Sequence, residues 1–111
     1  MGLPPTDPRE YVRHVLEAYC TTPGTAGVVR RADRLLAAQQ HERGEPLEAV
    51  GNALVLAAAR RIIRSAEAPP LPTVRSLAYF VPVIEEVLQL KVSQEYFQHL
   101  RHRLHRATSA R

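Results

Sequence analysis

The sequence predicts an all-α domain: a compact bundle of five or six helices joined by short loops and one proline-rich extended connection. In several segments apolar residues recur at the three- and four-residue spacing of one helix face. No alternation of apolar and polar residues is long enough to predict a β-strand. At 111 residues the chain fits one domain with a single core, residues 1–111, and is equally compatible with a piece of a longer protein.

The first helix is expected to begin at Asp7, which can cap it, with Pro8 at the first helical position and Glu10 completing a capping box. It is expected to end at residues 21–24, which contain a proline and a glycine. Its inward stripe is predicted to hold four apolar residues at helical spacing: Val12, Val15, Leu16 and Tyr19.

The second helix is expected from about Thr25 to Arg43, with Gly44 just beyond its C-terminus. We predict an inward face formed by Val28, Ala32, Leu35, Leu36 and Gln39, and an outward face formed by Arg30, Arg31, Asp33 and Arg34. A third helix is predicted from residue 45 to about residue 65. Its centre, residues 53–59, is apolar all round, which is typical of the most buried helix of a bundle.

Three prolines exclude a helix from residues 66–72, because they remove hydrogen-bond donors and restrict the residues before them. We predict an extended, polyproline-like strap there. Thr73 is then expected to cap a helix that either kinks at Pro82 or gives way there to a second short helix. The last helix is expected to begin at residues 93–95, and its inward stripe is predicted to be Tyr96, Phe97, Leu100 and Leu104.

Residues 68–87 contain an Arg-Ser-Leu-x-Tyr-Phe-x-Pro-x-Ile-Glu-Glu core behind the proline-rich strap, and an Arg-Gly-Glu-Pro-Leu turn precedes it at residues 43–47. This region resembles a segment of uncharacterised bacterial proteins. The resemblance implies an accessory role near mobile-element or replication genes and brings no functional residues with it. From the residues themselves we expect a buried core of Leu77, Phe80, Ile84 and Val87, with Arg75, Glu85 and Glu86 in water.

The whole net charge of +4 lies in residues 91–111. Residues 1–90 carry ten arginines and ten acidic residues, whereas residues 91–111 carry four arginines and one lysine against Glu95 alone. A positive helix end gains sequence-independent affinity for phosphates. A solvated face is the alternative, because cations near a helix C-terminus also stabilise its dipole. The predicted nucleic-acid-binding residues are Arg101, His102, Arg103, His105 and Arg106.

No residue pattern in the sequence supports a metal-binding, catalytic or cofactor-binding function. His99, His102 and His105 have a spacing that could hold a metal ion, but the intervening arginines repel a dication, so exposed histidines are expected. Glu85 and Glu86 are adjacent on a helix and point apart. There is no glycine-rich phosphate loop and no nucleophile elbow. We therefore expect neither an enzyme nor a cofactor.

The sequence also bears on location and partners. The chain has a single cysteine, Cys20, which excludes an intramolecular disulfide and favours a cytoplasmic location. Cys20 itself is expected to be a half-buried structural thiol. No apolar run is long enough to span a bilayer, so no membrane partner is expected. No aromatic residue follows Phe97 in the basic segment, which disfavours base stacking on single strands. The alternative to nucleic acid is a homodimer or a helical protein partner, docked on an apolar patch of residues 45–65 or of the strap.

Overall fold

A computed structural model describes residues 7–64, 67–89 and 94–109 and shows the predicted all-α fold. The central helix, α3, packs against α1, α4 and α5, while α1 also packs against α2. The elements of the described residues are, in chain order, α1 (Pro8–Thr21), α2 (Arg31–Glu42), α3 (Leu47–Ile62), a 3-10 helix (Leu77–Phe80), α4 (Val81–Gln89) and α5 (Gln94–Ser109).

Helix α1 begins and ends where the sequence predicts. The Asp7 carboxylate accepts a hydrogen bond from the backbone N–H of Arg9 at 2.8 Å, and the helix ends at Thr21. The most buried residues of its stripe are Tyr11, Val15 and Tyr19. Val12 and Leu16, predicted to face the core, are only half-buried at its edge.

Helix α2 starts at Arg31, six residues later than predicted, because Thr25 lies in an extended segment that pairs with Val74. The prediction also assigned the wrong residues to the inward face of this helix. The inward residues are Asp33, Ala37 and Gln40, whereas Leu35 is 54% exposed. Val28, which precedes the helix, is exposed as well. The Asp33 carboxylate faces inward because it accepts hydrogen bonds from the backbone N–H groups of Arg30 and Leu77. This orientation of the helix places Leu35 on the outward side.

Helix α3 confirms the prediction of a buried central helix. Its middle residues, 53–59, are buried, with Val55 partly accessible. The many alanines leave room for close approach of three neighbouring helices. The core covers the middle of this helix, and residues 45–64 expose no large apolar side chain, whereas Leu71 of the strap is 43% exposed.

The segment of residues 67–72 is non-helical, as its prolines require. Ser76, rather than Thr73, caps the next helix by accepting from the N–H of Ala78 at 3.1 Å. Pro82 lies in the first turn of α4, where a missing N–H breaks no intrahelical bond, so it begins a second helix. The predicted core is confirmed: Leu77, Phe80, Ile84 and Val87 are buried.

Helix α5 packs on the core through Phe97 and Leu100, and Leu104 one turn later is also buried. Tyr96, predicted to face inward, is 46% exposed. The predicted cap at Ser93 lies outside the described residues. None of the helices in the described ranges combines the length and apolar character needed to cross a membrane.

Candidate nucleic-acid interface

The five predicted binding residues all lie on α5 and are all exposed. Because Leu100 and Leu104 fix the inward side of this helix, the remaining positions face away from the core. Helical spacing then divides the five residues among three sides. Arg101 and His105 lie on the flank that faces the end of α1, His102 and Arg106 lie on the outer face, and Arg103 lies on the opposite flank.

A buried asparagine on α3 holds one of these residues in place. The Arg101 guanidinium donates through Nη2 to Oδ1 of Asn52 at 2.9 Å, and Asn52 is 5% exposed. A neutral amide oxygen orients a guanidinium without cancelling its charge. Asn52 was not predicted as part of the site, because a single buried amide within an apolar helix gives no signal in the sequence.

Acidic partners neutralise three arginines elsewhere on the molecule. Three ion pairs occur in the described residues: Arg13–Glu17 at 3.1 Å, Arg43–Glu45 at 2.9 Å and Arg60–Glu86 at 2.5 Å. None of them involves α5. The α5 arginines thus keep their charge uncompensated by a carboxylate within the described ranges.

The Arg60–Glu86 pair shows the contrast most clearly. Two guanidinium nitrogens of Arg60 donate to the two carboxylate oxygens of Glu86, at 2.8 and 2.5 Å. This hydrogen bonding lowers the pKa of Glu86, and the carboxylate in turn raises the pKa of Arg60. Both groups therefore stay charged and balance one another, so Arg60 contributes little positive field of its own.

Two further arginines, at the end of α3, resemble Arg101 rather than Arg60. Arg61 donates to the hydroxyl of Tyr79 at 3.0 Å and to the carbonyl of Pro72, and Arg64 donates to the carbonyl of Pro69 at 2.9 Å. All these acceptors are neutral. Neither arginine stands out in the sequence, because the charges of residues 1–90 sum to zero and the carboxylate that distinguishes Arg60 from its neighbours lies 26 residues away in the chain.

The arginines at the end of α3 and one flank of α5 line a continuous depression. A cavity of about 400 Å³ is lined by Arg101 and His105 together with the C-terminal end of α1. A second, of about 430 Å³, is lined by Arg61 and Arg64 together with residues 68–71. The two adjoin at Pro23 and Thr108, and no acidic residue lines either of them. We call this depression the basic groove and define it by Arg61, Arg64, Arg101 and His105.

The histidines of α5 do not assemble into a metal centre. His99, His102 and His105 are exposed, and His105 lies in the basic groove. In the described part of the chain no group of three or more histidine, cysteine, aspartate or glutamate side chains is placed to hold a metal ion. These positions can supply positive charge to an anionic ligand when protonated.

The outer side of α1 carries a separate apolar depression of about 460 Å³. Cys20 lies in it as a half-buried thiol, the state predicted for it. Its apolar lining is Val12, Leu16, Cys20 and Val29. The apolar patch was predicted on residues 45–65 or on the strap, so this depression on α1 was not predicted.

The chain matches no model of a known protein family, no curated protein and no solved structure.

Proposed function

We propose that the protein is a non-enzymatic nucleic-acid-associated accessory module that contacts the phosphate backbone through α5. One observation carries this proposal: Arg101, Arg103 and Arg106 are exposed on a single helix without a carboxylate partner in the described residues, whereas Arg13, Arg43 and Arg60 are each ion-paired. Positive charge that is not cancelled locally is the charge available to phosphates. It attracts them without reading sequence.

Binding of this kind depends steeply on salt. Each phosphate that the protein neutralises releases condensed counterions, so the logarithm of the association constant falls with the logarithm of salt concentration by about 0.9 per phosphate on duplex DNA. Three arginines that each contact a phosphate therefore contribute a slope of about 2.7. Their substitution should weaken binding in a sequence-independent way.

The test compares two triple variants that remove the same charge. R101Q/R103Q/R106Q is expected to weaken binding of a fluorescent duplex and to lower the salt slope by about 2–3, measured by anisotropy between low and moderate salt. The control, R13Q/R43Q/R60Q, removes three ion-paired arginines and should have a much smaller effect. Absence of binding by the wild-type chain at low salt, or equal losses in the two variants, would refute the proposal.

We also propose a cytoplasmic location and a role beside bacterial replication or mobile-element genes. The lone thiol supports the location. The resemblance of residues 68–87 to a segment of uncharacterised bacterial proteins supports the role. Gene neighbourhood tests the second point: related chains encoded away from such genes would contradict it.

A second candidate function is self-association through α1, and the apolar depression on its outer side favours it. Arg13 and Glu17 lie along its rim, one helical turn apart. Antiparallel packing of two α1 helices would place the Arg13–Glu17 pair of one copy beside the same pair of the other, so that each arginine meets the partner's glutamate as well as its own. The surface is therefore complementary in charge to a second copy of itself.

Light scattering tests this candidate. We expect a mass that rises with concentration above the 12.4 kDa of one chain. Leu16→Glu, in the depression, should lower the mass, whereas Leu35→Glu, at an exposed position on α2, should not. A mass of one chain at every concentration would exclude self-association.

A further inference from the structure

We infer that the basic groove, extended to Tyr79, is a binding channel for single-stranded nucleic acid. This deepens the function proposed above and rests on it. The channel extends the interface to residues of α3 and of the 3-10 helix, and its shape and chemistry suit a single strand better than a duplex.

The channel is continuous along the molecule. The cavity lined by Arg61 and Arg64 adjoins a third one, of about 310 Å³, with Arg61 and Leu71 common to both. Tyr79 lines this third cavity. The path thus runs from the α5 flank, across the end of α1 and the end of α3, to an aromatic ring. Three adjoining cavities suit an extended ligand with repeated anionic groups better than a compact one.

The guanidinium groups along this path are held in place while their charge remains uncancelled. Arg61, Arg64 and Arg101 donate to carbonyl, hydroxyl or amide oxygens, all of them neutral. Each guanidinium has five N–H donors, and these bonds use one or two of them. The remaining donors can bind phosphate oxygens. Because the side chains are already oriented, little conformational entropy is lost on binding.

Tyr79 supplies the aromatic surface that the basic segment of the sequence lacks. Tyr79 is 48% exposed, and the Arg61 guanidinium carbon lies over one face of its ring, 5.4 Å from the ring centroid. Phe80 packs edge-on against the same ring, with the centroids 5.2 Å apart. The ring is therefore fixed beside a cation at the end of a basic channel. Proteins that bind single strands without sequence preference combine these two features, a positive groove and an aromatic platform.

The aromatic end of the channel favours a single strand over a duplex. The bases of a duplex are stacked on one another, so an exposed ring at the end of a protein groove cannot stack on them without disrupting the helix. A single strand can present phosphates to the arginines and an unstacked base to Tyr79. A duplex, in contrast, meets α5 through its phosphates alone.

The arginine test compares an arginine of the channel with an ion-paired arginine outside it. Arg64→Gln, in the channel, should weaken binding of a labelled single strand and lower its salt slope by about 0.7, the value for one phosphate on a single strand. Arg43→Gln removes the same charge from an ion-paired position outside the channel and should change both quantities less. Arg64→Lys should restore most of the slope. Anisotropy with the full chain measures all four proteins, and circular dichroism verifies their fold.

The tyrosine test separates base stacking on the Tyr79 ring from the hydrogen bond that the Tyr79 hydroxyl accepts from Arg61. Tyr79→Leu should weaken single-strand binding by about fivefold or more and leave duplex binding unchanged. Tyr79→Phe removes the hydroxyl that accepts from Arg61 but keeps the ring, so it should retain most of the affinity. Tyr96→Leu, at a similarly exposed tyrosine outside the channel, is the matched control and should bind as the wild type does.

The outcomes distinguish this inference from the proposed function. Binding to neither form at low salt would overturn both. Equal binding of strand and duplex, with each channel variant indistinguishable from its control, would overturn the channel alone. Equal displacement of the labelled strand by polyglutamate and by unlabelled strand, at matched charge, would also overturn it, because charge alone would then account for binding.

Discussion

Asp33 joins two distant parts of the chain through its two carboxylate oxygens. Oδ2 accepts from the backbone N–H of Arg30 and Oδ1 from that of Leu77, both at 2.9 Å. The residue is only 2% exposed. One side chain therefore starts α2 and fixes the beginning of the 3-10 helix 44 residues later. A buried carboxylate in this role is stabilising only while both N–H groups reach it.

Asp33→Ala is expected to lower the free energy of unfolding by about 2–4 kcal/mol, because it removes a helix cap and leaves a buried N–H without an acceptor. Urea denaturation with an unchanged m value measures the loss. Glu42→Gln removes an exposed carboxylate from the same helix and should change the stability by less than about 0.5 kcal/mol. Similar stabilities of the two variants would contradict the structural role of Asp33.

Tyr11 provides a pH-dependent contribution to stability. Burial, with a smaller effect of the nearby Glu45 carboxylate, raises its pKa to about 12. Its hydroxyl donates to the backbone carbonyl of Glu45 at 2.8 Å. The unfolded chain loses this proton near pH 10, before the folded chain does. The contribution is thus complete below about pH 10 and is lost as the pH rises toward 12.

Tyr11→Phe should cost about 1 kcal/mol at neutral pH, because one hydrogen bond is lost. Its stability should then fall less steeply than that of the wild type between about pH 10 and pH 12. Burial also raises the pKa of Tyr19, so the variant retains part of the pH dependence of stability. Denaturant titrations at several pH values provide the comparison, and parallel slopes would show that the Tyr11 proton is not linked to folding.

At the scale of elements, a short extended pairing holds the segment after the strap against the loop that follows α1. Val74 donates to the carbonyl of Gly24 and accepts from the N–H of Ala26, both at 2.8 Å. Gly24 has a φ of +91°, which side chains rarely allow, and a Cβ there would lie 3.3 Å from Nε of Arg61. The loop after α1, the strap and the end of α3 are thus fitted to one another at this glycine.

Gly24→Ala is expected to destabilise the protein by more than Gly44→Ala. Both glycines have positive φ, for which a side chain costs about 1–2 kcal/mol. A Cβ at Gly44 meets no atom within 4 Å, whereas one at Gly24 displaces Arg61. Thermal unfolding monitored by circular dichroism ranks the two variants. Equal losses would mean that the loop and Arg61 move apart without cost.

At the scale of the whole molecule, the attachment of α5 determines whether the candidate site exists. This helix packs chiefly on α3, and Phe97 is 2% exposed at that contact. The Arg101–Asn52 bond belongs to the same contact. The core and the orientation of the basic residues therefore depend on each other.

Phe97→Ala should destabilise the protein by about 3–5 kcal/mol, a large part of the stability of a domain this small. The neighbouring Tyr96→Ala, at an exposed position, should cost less than about 1 kcal/mol. Chemical denaturation gives both values. A loss in Phe97→Ala no greater than in Tyr96→Ala would show that α5 is not anchored where the structure has it.

Local patterns in the sequence determined the helical class, the start and end of α1, the buried centre of α3 and the exposure of the five predicted α5 residues. They did so because caps, prolines and apolar periodicity act within a few residues. The tertiary structure alone decided that Asp33 faces inward, since its second partner is 44 residues away. It also decided which arginines are neutralised. Arg60 meets a carboxylate from α4, whereas Arg61 and Arg64 meet only neutral oxygens and join the α5 flank in one groove. Charges that balance along the chain need not be close in space, so counting them by segment could not find this surface.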